Sequence, residues 1–332
     1  MGIIEDQEVR WGVVGVGNVC EVKSAPAMKL VPRSKLVAVM RRDGQKAKDY
    51  AQRHGVPQWY DQADELINDP RVNAVYIATP PDSHAELTRK VAYAGKPVYV
   101  EKPMAHHYQP CVDMIATCKQ AQVPLFVAYY RRTLPNFLKI KELVDQGIIG
   151  DVRLVNIQMN QNKDSGTKVS TETNWRVDPN VAGGGYFFDL ASHQLDFLDF
   201  LLGPIKSAQG FAANQAGRYP AEDIVTASFE FESGVLGSGS WCFTTANIAR
   251  TDMTTIVGSK GQIAYPTFGE PYVLLQTDTK GKERFDFDLP KHIQYFLIES
   301  IVNELLGKGK CPSTGVTAAR TNWVMEQIVY GG

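Results

Sequence analysis

The feature that most constrains this chain is an alternation between Val9 and Tyr130, in which short apolar runs end at glycine or proline and are each followed by a stretch of helical periodicity. VRWGVVGVG, from Val9, precedes EVKSAPAMKLV, whose apolar residues fall at helical spacing. KLVAVM (35–40) precedes QKAKDYAQRHG, where Ala47, Tyr50 and Ala51 recur at i, i+3, i+4 and Gly55 closes the helix. VNAVYIATP (72–80) has the composition of a strand buried on both faces, and HAELTRKVAYAGK after it takes Asp82 or Ser83 as cap and ends at Gly95. KPVYVEKP and VPLFVAYY add two strands on either side of a helix predicted over 111–120. Strands separated by such helices pair in parallel through right-handed crossovers. The expectation is therefore a doubly wound α/β sheet that binds its ligand beyond the carboxyl ends of its strands.

From Asp151 the pattern changes. DVRLVNIQMN, IKSAQGFAAN, DIVTASFEFES, GVLGSGSWCF and GQIAYPTF alternate in polarity and are joined by turns containing Gly, Ser and Asn. They predict an α+β domain with an open, mainly antiparallel sheet. A chain of 332 residues readily holds two cores, and the boundary is expected at 127/128, giving domains 1–127 and 128–332 with the helix FLKIKELVDQGIIG just after it. Few helical segments remain to cover the second sheet. Its exposed face is expected to be apolar and to carry a homodimer or homotetramer contact.

Gly15-Val16-Gly17-Asn18-Val19-Cys20 lies where the first strand meets the first helix, the context in which G-x-G-x-x-G reads as a dinucleotide site of Rossmann type. Gly15 permits the turn, Gly17 lets the backbone approach a pyrophosphate, and Asn18 and Val19 open the helix that faces it; the third glycine is Cys20 here. At the end of the second strand, where an NAD enzyme normally places a carboxylate, the chain reads Met40-Arg41-Arg42. Two guanidinium groups suit a 2′-phosphate, so NADP(H) is the expected cofactor, with NAD(H) possible. The competing assignment leaves both arginines in a solvated turn and gives the work to Asp43. Thr79-Pro80-Pro81, at the same edge, is expected to line the nicotinamide ribose.

Glu101-Lys102-Pro103 ends the strand that follows. Its lysine is expected to face the crevice next to the substrate domain, where partial burial lowers an ammonium pKa and suits it to proton traffic. Further on, Gly183-Gly184-Gly185 precedes a helix predicted over 186–200, with Asp189, His193 and Asp196 at i, i+4, i+7 on one face. The surrounding YFFDLASHQLDFLDFLL is very apolar, so that face is either a functional rim or a hydrogen-bonded core face.

A strand-end E-K-P followed by G-G-G-x-x-x-D-x-x-x-H from Gly183 to His193, with the glycine loop, the Thr79-Pro80-Pro81 turn and the 147–150 turn, resembles the glucose-fructose oxidoreductase and inositol dehydrogenase (Gfo/Idh/MocA) family over nearly the whole chain. The resemblance implies that Glu101 and Lys102 lie at the cofactor, that Asp189 and His193 complete an acid-base set with Lys102, and that Tyr129, Arg131 and Trp175 border the substrate. The expected activity is an NADP-preferring interconversion of hydroxyl and carbonyl on a sugar, polyol or related substrate. His193 is the expected immediate proton donor in reduction, Lys102 a polarising cation, and Asp189 a substrate ligand. The rivals are a glycoside hydrolase that uses NAD transiently and a nucleotide-sensing binding protein without turnover.

The remaining features narrow the partners. Thirty-five basic against 36 acidic residues leave no field to gather nucleic acid or an anionic membrane. Five cysteines without a C-x-x-C pair read as reduced cytoplasmic thiols. No metal site is expected, although His106 and His107 have Cys111 nearby, and His54, His84 and His292 lack companions. The start of the chain is acidic and polar, unlike a secretory signal, and no apolar run nears the ~18–20 residues of a membrane span. The 164–171 segment has loop composition, either a flexible edge of the substrate cleft or a solvated connection.

Overall fold

The computed structural model describes residues 4, 8–163, 169–170 and 174–331. It forms two compact units: Met1–Tyr130 with Pro290–Ala319, and Arg131–Leu289 with Arg320–Gly332. A single boundary at 127/128 leaves out the return of Pro290–Ala319 to the first unit. Amphipathic periodicity marks that segment as helical, but periodicity does not say which core a helix serves. Of the 164–171 loop only Val169 and Ser170 fall within the described residues.

The first unit runs β1 (Val9–Val14), α1 (Asn18–Val22), α2 (Ala25–Leu30), β2 (Ser34–Met40), α3 (Gly44–His54), β3 (Gln58–Tyr60), α4 (Ala63–Asn68), β4 (Ala74–Ile77), α5 (His84–Tyr93), β5 (Val98–Val100), α6 (Tyr108–Gln120) and β6 (Leu125–Val127). Its six strands lie in the order β3-β2-β1-β4-β5-β6 and every pair is parallel. The order reverses beside β1, between β2 and β4, which is where such sheets open a crevice for ligand. β4 and β5 are buried at every position, as their unbroken apolar runs require. The helix expected after β1 is two short ones. Pro26 has no N–H to give to a preceding carbonyl, so it sits in the first turn of α2 and a new helix starts there. Two elements escape the periodicity altogether, the three-residue β3 and the six-residue α4.

The second unit contains α7 (Pro135–Asp145), β7 (Val152–Asn160), α8 (Pro179–Ala182), α9 (Tyr186–Leu202), β8 (Ile205–Ala213), β9 (Ile224–Phe231), β10 (Leu236–Cys242), β11 (Thr251–Gly258), β12 (Gly261–Tyr265), β13 (Tyr272–Thr277) and β14 (Gly281–Asp286). Then α10 (Tyr295–Leu305) lies in the first unit, and α11 (Gly315–Tyr330) begins in the first and ends in the second. The eight strands form one sheet, β14-β13-β12-β11-β7-β10-β9-β8, antiparallel except for the parallel β7–β10 pair. β7 shows the alternation plainly: Val155, Ile157 and Met159 are buried while Leu154, Asn156 and Gln158 are exposed. On the buried side Phe187 of α9 meets Trp241 edge-on at 5.0 Å, and Phe197 meets Phe137 of α7 at 4.7 Å. The open side is less apolar than expected. Leu154, Leu236 and Phe211 are exposed there among Asn156, Thr226, Ser228 and Ser238. Among the described residues no helix is long and apolar enough to cross a membrane, and no group of three or more His, Cys, Asp or Glu is placed to hold a metal ion.

Candidate functional site

In the first unit the glycine loop leaves β1 with Gly15 at φ +93°, a conformation that side-chain-bearing residues rarely adopt. A Cβ there would also lie 2.6 Å from Thr79 Cγ2 and 3.0 Å from Thr79 N, so this glycine is set by both the turn and the approach of the β4 end. Gly15 and Val16 both donate to Met40 O, at 2.9 and 3.1 Å, fixing the loop to the end of β2. Gly17 differs: a Cβ on it would meet nothing nearer than 3.9 Å. Its bare backbone is the approach that a pyrophosphate needs, and on this observation the loop fits a dinucleotide.

Cys20 fills the position of the third glycine and is fully buried. Burial pushes its thiol up to about 12, so it stays neutral and acts as a small packing residue. Its N–H donates to Gly17 O at 2.9 Å and its carbonyl accepts from Tyr50 Oη at 2.9 Å. Beside it, Arg41 Nη1 donates to Val16 O at 3.3 Å and Arg42 is exposed. Asp43 is engaged elsewhere, as the N-cap of α3, accepting from Lys46 N at 3.1 Å; that bond and the Lys46 ammonium hold its carboxyl below the usual range.

The ends of β4 and β5 carry the next residues. Thr79 Oγ1 accepts from Ser83 Oγ at 2.7 Å, and Ser83 Oγ lies 2.8 Å from Pro80 O. Lys102 is half-buried and its bond to Pro103 is cis. Glu101, expected among the cofactor contacts, is buried, and its carboxylate accepts from Tyr76 Oη, from Gln294 Nε2 at 2.8 Å and from Lys102 N at 3.2 Å. Tyr99 Oη completes the network by donating to Gln294 Oε1 at 2.8 Å. Glu101 is thus the buried anchor of the turn that carries Lys102. Tyr129, expected at the substrate, is fully buried in the core of this unit.

In the second unit the glycine triplet starts α9. Gly183 takes φ +82°, and a Cβ on Gly185 would lie 2.7 Å from Glu222 O. Gly185 N donates to Glu222 Oε1 at 2.7 Å, so a carboxyl group sits over the helix start; burial pushes it up to about 7. Asp189, in the first turn, is 3.3 Å from Arg176 Nε, and that guanidinium lies 4.4 Å over the Trp175 ring. One turn on, His193 is buried with its ring edge-on to Phe268 at 5.8 Å. Arg131 caps the same Phe268 at 4.3 Å and donates to Thr267 O at 3.1 Å. A further turn on, Asp196 is held by both arms of Arg132, at 2.8 and 2.6 Å, with each side chain 1% exposed. The α9 polar face thus runs from a partly exposed Asp189 to a core ion pair at Asp196.

Sequence reasoning missed Arg176 and Asp252. Asp252, whose carboxyl is raised by burial, accepts from Phe268 N at 2.5 Å and from Gln194 Nε2 at 3.5 Å. Neither residue falls at a spacing that marks its contact, since Arg176 meets Asp189 across the glycine turn and Asp252 meets Phe268 from a neighbouring strand. The second unit thus offers imidazole, carboxylate, guanidinium and aromatic groups along one helix and its neighbours, a set suited to a hydroxylated substrate.

Comparison with known proteins gives a consistent picture. Residues 9–129 match the oxidoreductase family with an NAD-binding Rossmann fold, and residues 137–264 match the Gfo/Idh/MocA C-terminal domain. The chain is 36% identical to Oxidoreductase P35 of Formosa agariphila, over 97% of this chain and 98% of that one. It is 29% identical to the trans-1,2-dihydrobenzene-1,2-diol dehydrogenase of Bos taurus, over 85% and 80% of the two. Among solved structures, a levoglucosan dehydrogenase in complex with NADH and levoglucosan is similar with a TM-score of 0.87 at 20% identity, covering 97% of this chain and 96% of that one; this likeness is one of fold.

Proposed function

The chain belongs to the Gfo/Idh/MocA family of nicotinamide-dependent oxidoreductases, and we propose that it prefers NADP(H) and interconverts a hydroxyl and a carbonyl on a sugar, polyol or related small polar molecule. The observation that supports the cofactor preference is the end of β2, where Arg41 donates to Val16 O, Arg42 is exposed, and Asp43, the next carboxylate along the chain, caps α3. An adenosine 2′-phosphate there gains charge-assisted hydrogen bonds. The CH–OH chemistry is supported by the bovine relative, whose name describes oxidation of a vicinal diol.

When bound, the cofactor supplies or accepts a hydride, and a proton must move at the substrate oxygen alongside it. In our reading His193 carries that proton, Lys102 supplies positive charge where the oxygen becomes anionic, and Asp189, steered by Arg176, binds a substrate hydroxyl. Arg131 and Trp175 border the substrate. Glu101 holds the Lys102 turn from beneath. The same reading places the enzyme in the cytoplasm, supported by five free cysteines, and makes it a homodimer or homotetramer through the open face of the second unit's sheet.

The test is loss of absorbance at ~340 nm from NADPH and NADH, each with a panel of ketoses, dicarbonyl sugars and inosose-type ketones. The expected result is NADPH-selective oxidation with one carbonyl class. No change with either cofactor, in reduction or in the reverse direction with the matching alcohols, would overturn the reading.

A further inference from the structure

His84 opens α5 and is fully buried, although no motif singles it out. Its ring faces two backbone carbonyls, with Nε2 2.8 Å from Thr79 O and Nδ1 3.1 Å from Met104 O. Thr79 follows β4, and Met104 follows the Lys102–Pro103 bond after β5. One side chain therefore reaches the two strand-end turns assigned to the nicotinamide side of the site. Both partners are main-chain oxygens, so the contact fixes backbone position in each turn rather than a movable side chain. The neighbouring Ser83 hydroxyl ties Thr79 and Pro80 to the same helix start.

We propose that His84 is a positioning residue for the reaction, holding the Thr79–Pro80 turn and the Lys102 turn in place through these two carbonyls. The proposal rests on the reading of Lys102, Thr79 and Pro80 given above. Burial holds the ring's pKa below its usual value, and a neutral imidazole carries a single N–H. Its N–H goes to Thr79 O, the shorter of the two contacts, and the bare Nδ1 packs against Met104 O without a second hydrogen bond, so the two turns share one side chain through unlike contacts.

That asymmetry makes the role testable, because the amide nitrogen of Asn falls near Nδ1 of a histidine and that of Gln near Nε2. His84→Gln keeps the donor to Thr79 O and removes the ring from Met104 O; His84→Asn removes the donor from Thr79 O. The measurement is the Kd of NADPH by fluorescence titration, with Tm recorded for each variant and kcat measured on the carbonyl found in the panel. His84→Gln is expected to bind NADPH within about twofold of the unsubstituted protein and to lose about tenfold in kcat. His84→Asn is expected to weaken NADPH about tenfold and to retain more of its kcat at saturating cofactor, a tenfold change being what one such hydrogen bond is worth. Gln and Asn variants with equal Kd values, or changes in Kd that follow Tm alone, overturn the positioning role. Failure of the unsubstituted protein to bind either NADPH or NADH instead overturns the functional reading itself, and this proposal with it.

Discussion

At the scale of single residues, Lys102 and Arg41 carry the assignments that matter most. Lys102→Ala is expected to leave the Kd of NADPH within a few-fold while lowering kcat by ~10²–10⁴, the usual size of a proton-handling or polarising contribution. Unchanged turnover would remove Lys102 from the reaction. Arg41→Asp exchanges a donor to a 2′-phosphate for a charge that repels it, so the ratio of kcat/KM for NADPH over NADH should fall by ~10–100-fold, the worth of one or two charge-assisted hydrogen bonds. A ratio that does not move would show that the β2 end does not choose the cofactor. Gly15, Gly17 and Lys102 were legible because each sits at a strand end, where short spacing rules apply. Asp189 and His193 were legible from helical spacing after a glycine triplet. The burial of Glu101 was not, because Gln294, which donates to it, lies far along the chain; the Asp252 contact with Phe268 was hidden because it crosses between separate elements without a spacing rule.

At the scale of elements, α9 is the one whose start deserves a measurement. The carboxyl over it, Glu222, has been raised by burial to about 7, above its ordinary value. The sign follows from linkage: a carboxyl raised on folding contributes stability below its unfolded pKa, and that contribution is lost as pH rises through about 7. Glu222→Gln keeps an oxygen to accept from Gly185 N and removes the buried charge. The variant is expected to match the unsubstituted protein near pH 5 and to melt higher at pH 8, by up to ~3 kcal/mol of stability. An equal Tm difference at both pH values would show that Glu222 does not titrate in this range. The alternation of strands and helices made most of these elements readable. It failed at α1 and α2, where Pro26 divides what looked like one helix, and at β3, whose three residues are too few to show a period.

At the scale of the whole molecule, association is the open quantity. Leu154 and Leu236 are register neighbours on β7 and β10, both exposed on the open face of the sheet. A Leu236→Glu variant places a charge in the middle of that pair. Light scattering after size exclusion is expected to give a dimer or tetramer for the unsubstituted protein and a monomer for the variant, since desolvating an unpaired carboxylate in an interface is costly. A monomeric unsubstituted protein would end the assembly reading. The two fold classes were visible from composition and period alone, but the return of the chain was not, because it is a property of topology. It also bears on how the protein is made. β6 is bridged by Thr314 at Phe126, and Val127 O accepts from Ser313 Oγ at 2.7 Å. At ~5–20 residues per second, a ribosome that has released β6 needs on the order of ten to forty seconds to deliver that cover. Throughout that interval the nascent cofactor unit carries an unguarded strand edge, the kind of surface that invites pairing with another chain.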